Sequence, residues 1–104
     1  MTHTFPNAPN GWSPDDAKAL AAELDIELTD DHWSVVQALQ EYFAKHDFPN
    51  RRELTDALEE RFHVVGGLKR LYILFPNGPI AQGCQLAGLE VPAGNIDKSF
   101  GSVV

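Results

Sequence analysis

The sequence predicts an all-α fold, a compact bundle of about five short helices. Three observations predict it. Apolar residues recur at spacings of three and four through most of the chain. Cap residues stand in front of those repeats. Gly- and Pro-bearing breaks separate them.

Residues 1–12 hold Pro6, Asn7, Pro9, Asn10 and Gly11 and read as an irregular N-terminal arm. The first helix starts at Ser13. Pro14 suits the first helical position, and Asp16 completes a capping box with Ser13. Ala17, Leu20, Ala21 and Leu24 then repeat at helical spacing. Thr29 is the next N-cap, and Asp30 and Asp31 lie where the helix dipole favours anions. The second helix runs to about His46. Its broad apolar face is Trp33, Val36, Leu39 and Phe43, widened by Val35 and Tyr42.

Asp47, Phe48 and Pro49 break the pattern, and Asn50 caps a third helix with Glu53 three residues on. Leu54, Ala57, Leu58 and Phe62 form its buried stripe. Gly66 and Gly67 mark another break. Residues 68–75 are apolar nearly all round, so periodicity does not separate helix from strand there. Their helical surroundings make a buried helix the expectation. Pro76, Asn77 and Gly78 form a turn, and Pro79 opens a fifth helix. Gly88 closes it as a C-terminal glycine, with Leu89 the accompanying apolar contact. Residues 13–95 form the helical domain in this reading. Residues 96–104 are polar or small and are expected to be a flexible C-terminal arm.

The bulk numbers fit one folded domain: 104 residues, 43 % of them hydrophobic, with six Phe, two Trp and two Tyr. A single cysteine excludes a disulfide framework and suits a reducing compartment. The first residues lack the basic region and apolar run of a signal peptide. No apolar run approaches the roughly 18 residues of a membrane span. A cytoplasmic protein is the expectation. The net charge of −7 opposes general nucleic-acid binding, which rests on neutralising phosphates. That charge is uneven. Seven acids against Lys18 alone lie between Asp15 and Asp31, whereas Arg61, Lys69 and Arg70 face only Glu90 between Arg61 and Asn95. A locally positive C-terminal third offers Lys69 and Arg70 as docking residues for an acidic partner or an anionic sulfur species.

The sequence holds few other sites. His3, His32, His46 and His63 are widely spaced and match no metal motif, so no metal and no cofactor is expected. The second and third helices resemble a helix-turn-helix, with Arg51 and Arg52 where a recognition helix would begin. Glu53, Asp56, Glu59 and Glu60 on the same helix would face phosphates badly, so a DNA-binding regulator is the weaker alternative. Cys84 remains. It shares a helix face with Ile80 and Ala87, as a core cysteine would. Reactivity would require exposure and a lowered thiol pKa, to which Lys69 or Arg70 would contribute if the fourth helix folded back beside it.

The run Leu71, Tyr72, Leu74, Phe75, Pro76, Gly78, Pro79, Gln82, Cys84, Ala87, Gly88 and Leu89, preceded by Lys69 and Arg70, resembles the DsrC/TusE family. Glu27, Leu28, Thr29, His32, Trp33 and the Phe48-Pro49 break also suit it. The resemblance implies an all-helical fold with a C-terminal arm, and protein partners from a sulfur-relay or sulfite-reductase system. It implies a carrier cysteine on the arm that takes up a persulfide, and, in members tied to sulfite reductase, a second cysteine at the position of Cys84. Here the chain departs. Eleven residues beyond Cys84 stands Asn95, and the residue before the last is Val103. An amide cannot form a persulfide. Two expectations follow: a divergent relay protein with a regulatory or adaptor role, or one in which Cys84 itself is the persulfide site of a sulfurtransferase subunit.

Overall fold

A computed structural model describes residues 4–46 and 49–92. The arm expected at 96–104, Asn95, His3 and the Asp47-Phe48 turn lie outside the described residues. Five helices follow one another: α1 Pro14–Leu24, α2 Asp30–Lys45, α3 Arg51–Arg61, α4 Gly67–Leu74 and α5 Pro79–Ala87. Among the described residues there is no strand and no helix long and apolar enough to cross a membrane.

The helices begin where the caps direct. The Ser13 N–H donates to Asp16 Oδ2 at 3.0 Å. The Asn50 side chain accepts the Glu53 N–H at 2.7 Å, and Glu53 Oε1 accepts the Asn50 N–H at 3.2 Å. These reciprocal bonds satisfy donors that a helix start leaves orphaned. α1 ends on Asp25 in the left-handed region, at φ 61°. The Ile26 N–H then bonds back to Ala21 O at 2.8 Å, so an aspartate does here what glycine usually does.

The core runs through the middle of the bundle. Val35, Val36, Leu39, Leu54, Leu71, Phe75, Leu86 and Cys84 are all buried. α5 packs most extensively on α2, and also on α1, α3 and α4. Close approach to α2 requires Gly83, because a Cβ there would meet Leu39 Cδ1 at 2.7 Å.

Two features depart from the sequence reading. A 3-10 turn, His63–Val65, continues α3 before the chain reverses at Gly66. α4 is a helix but not a fully buried one. Gly67, Leu71 and Leu74 point inward, while Tyr72 and Ile73 are 53 % and 66 % exposed. An eight-residue helix at the edge of a bundle has one neighbour face to bury, so the remaining apolar side chains stay outside.

The N-terminal segment packs down although it is irregular. Phe5 sits edge-on to Trp12 and Trp33, with ring centroids 5.1 and 5.6 Å away. Both contacts bring residues 5–12 onto the core.

Candidate functional site

Cys84 is the sixth residue of α5. It therefore lies beyond the first turn, where the helix dipole acts most strongly on a thiol. Its side chain has no solvent exposure. Burial pushes the thiol pKa up from 9.0 to about 12, only partly opposed by the positive charge of Arg51 on α3. At neutral pH such a group is a protonated, apolar-packed thiol. The nucleophile and metal ligand is the thiolate, so this environment suppresses both roles.

The cations expected beside Cys84 stand elsewhere. α4 does pack against α5 and α3, but the residues it buries are Gly67, Leu71 and Leu74. Lys69 is exposed on the opposite side of α4. The Arg70 guanidinium donates to Asp31 Oδ2 at 2.8 Å, tying α4 to the start of α2. The helix-turn-helix-like pair is likewise committed to structure: Tyr42 O–H of α2 donates to Glu53 of α3 at 2.8 Å.

The segment after Cys84 is held with unusual completeness. A helix leaves its last four carbonyls without intrahelical donors. In α5 all four find one. Cys84 O accepts the Leu89 N–H at 2.9 Å and Gln85 O accepts the Gly88 N–H at 3.2 Å, which together form a Schellman cap. Leu86 O accepts the Trp12 indole N–H at 2.8 Å. Ala87 O accepts Gln40 Nε2 at 2.9 Å. Gly88 takes φ 76° and lies against Trp12, whose Cδ1 would be 2.5 Å from any added Cβ. Donors from the N-terminal segment and from α2 thus hold the C-terminal end of α5.

His32, His46 and His63, the described histidines, make contacts within the fold. His32 Nδ1 accepts the Thr29 N–H at 3.0 Å, which leaves Nε2 as the donor to Leu74 O at 2.8 Å. This ring caps α2 and pins the end of α4. His46 stacks on Tyr42 at 3.9 Å. His63 pairs with Glu59 at 3.3 Å. Among the described residues no three His, Cys, Asp or Glu side chains converge as a metal site. Glu59 also takes the Leu68 N–H at 2.8 Å, and that bond holds its carboxyl below the usual range. It caps α4 from another helix, a role that local spacing does not reveal.

Comparison with known proteins agrees with this architecture. A family model described as DsrC like protein matches residues 2–96. The chain is 39 % identical over 84 residues to a sulfurtransferase TusE homolog of Haemophilus influenzae, covering 79 % of this chain and 77 % of that one. It is 40 % identical over 83 residues to a sulfurtransferase TusE of Salmonella typhimurium, covering 78 % and 76 %. Among solved structures, Allochromatium vinosum DsrC superposes with a TM-score of 0.71 at 37 % identity, over 84 % of this chain and 80 % of that one. The oxidised gamma-subunit of the dissimilatory sulfite reductase (DsrC) from Archaeoglobus fulgidus gives 0.64 at 34 % identity, over 82 % and 80 %.

Proposed function

The chain belongs to the DsrC-like family, and on that premise we propose that it is an adaptor in a sulfur-relay system. It binds the protein partners of that system without carrying sulfur itself. Residues 13–95 are the working unit in this reading, in a reducing, cytoplasmic setting that suits a lone thiol. Lys69 and Arg70 contribute to the partner face.

The burial of Cys84 carries the reading. It is the only cysteine in the 104 residues, and Asn95 stands where the family resemblance would put a carrier. To accept a persulfide, Cys84 would have to lose its proton inside an apolar core and meet a donor there, against a thiol pKa near 12. The helical scaffold and the family match over residues 2–96 support partner binding as the retained activity.

The test is persulfide loading of the full chain by a cysteine persulfide donor, read by intact mass. The expected spectrum is unchanged, while the Salmonella sulfurtransferase relative serves as the loaded control. A gain of one sulfur atom that disappears in C84S would overturn the adaptor reading and make Cys84 the carrier.

A further inference from the structure

Four large hydrophobic side chains are exposed among the described residues, and all four fall between positions 64 and 73: Val64, Val65, Tyr72 and Ile73, at 93, 56, 53 and 66 %. Single exposed apolar residues are ordinary on protein surfaces, but a group of them marks an interaction site. Advancing 100° per residue places Lys69, Tyr72 and Ile73 together on the side of α4 opposite Gly67, Leu71 and Leu74. Val64 and Val65 end the turn that leads directly into this helix.

The charges around this face have a definite sign. Residues 61–89 contain no carboxylate, in a chain of net charge −7. Two acids that reach this stretch are engaged: Asp31 holds Arg70, and Glu59 holds the Leu68 N–H and His63. Lys69 has no ion-pair partner among the described residues. The Tyr72 hydroxyl likewise makes no hydrogen bond among them. A hydrophobic patch with one unpaired cation and a free phenol is what an interface with apolar centre and polar rim requires of one side.

We infer that the outer face of α4, with Val64 and Val65, docks a protein surface whose apolar side chains are flanked by carboxylates. Such a partner is repelled by most of this acidic molecule and attracted at this end, so the charge distribution orients the encounter. Four side chains form a small contact, the size of a transient meeting rather than a permanent complex. A nucleic acid fits worse, because apolar side chains offer phosphates nothing. The inference deepens the adaptor reading and rests on its partner binding, not on the state of Cys84.

The test is in-cell photo-crosslinking with p-benzoylphenylalanine placed singly at position 73 and, as controls on other exposed surfaces, at positions 19 and 44. Adduct peptides are mapped by mass spectrometry. The expected result is an adduct from position 73 to one protein, at a peptide where Asp or Glu flanks apolar residues. K69E should reduce its yield by about fivefold, as should high salt. The same partner captured from position 19 or 44 but not 73 overturns this face and leaves the adaptor reading standing. An adduct at 73 that K69E and salt leave unchanged overturns the acidic chemistry of the partner. No adduct from any position overturns both the face and the partner-binding reading. Circular dichroism of each variant separates lost docking from lost folding.

Discussion

α4 and α5 adjoin in the chain and have similar length, yet they place their apolar residues in opposite ways. α5 buries seven of its nine residues. α4 buries three of eight and turns Tyr72 and Ile73 outward. Both lie in the stretch that carries the family resemblance. Similarity of sequence over that stretch therefore reports two different things. In α5 it reports packing, including a thiol with no solvent exposure. In α4 it reports a surface, open to contact. A reader of the motif alone would assign the chemistry to Cys84 and the packing to α4, which is the reverse of what exposure dictates.

The sharpest way to break the contrast is to truncate one apolar side chain at each end of it. Phe75 is fully buried at the junction of the two helices. F75A should cost about 3–5 kcal/mol in chemical denaturation. I73A and Y72A, on the outer face of α4, should stay within about 0.5 kcal/mol. Equal losses at both positions would mean that the face is covered. The next largest effect belongs to the clamp behind α5. G88A forces a Cβ into the left-handed region and against Trp12, at about 1–2 kcal/mol or more. W12F removes the indole donor to Leu86 O and part of the ring's packing, and should cost about 1 kcal/mol. The ranking F75A, G88A, W12F, I73A is itself the prediction, read from unfolding midpoints.

A separate signal is the pH dependence of stability. The native thiol keeps its proton to about pH 12, while an unfolded thiol loses it near its ordinary 9.0. Between those values the folded state binds more protons, so stability falls as pH rises. The slope tends toward the order of 1 kcal/mol per pH unit from this group alone. Wild type should therefore lose stability more steeply than C84A from pH 8 to pH 10.5. Parallel curves would mean that Cys84 is solvated.

Much of the fold was legible because its signals are local. Ser13, Thr29, Asn50, Pro79 and Gly88 each mark a helix end by their own chemistry, and every one stands where the structure has a boundary. What was not legible depends on partners distant in sequence. Glu59 caps α4 from α3, nine residues upstream of Leu68. The outward turn of Tyr72 and Ile73 follows from the placement of α4 at the edge of the bundle, with its neighbours on the side of Leu71 and Leu74, and an all-apolar run carries no periodicity to show it. Cys84 is intermediate. Its spacing with Ile80 and Ala87 pointed to the core, but only the packing of the other helices around α5 removes it from solvent. Lys69 and Arg70 would have acted on the thiol only if α4 brought them beside it; helix phase turns Lys69 outward and hands Arg70 to Asp31.

The central claim is that Cys84 is a packing residue in this chain, and the rate of its alkylation in the native protein measures that most directly. The account predicts labelling at neutral pH that is orders of magnitude slower than in denaturant and that accelerates only as the whole fold opens. Prompt labelling of the native chain, independent of denaturant below the unfolding transition, would contradict it.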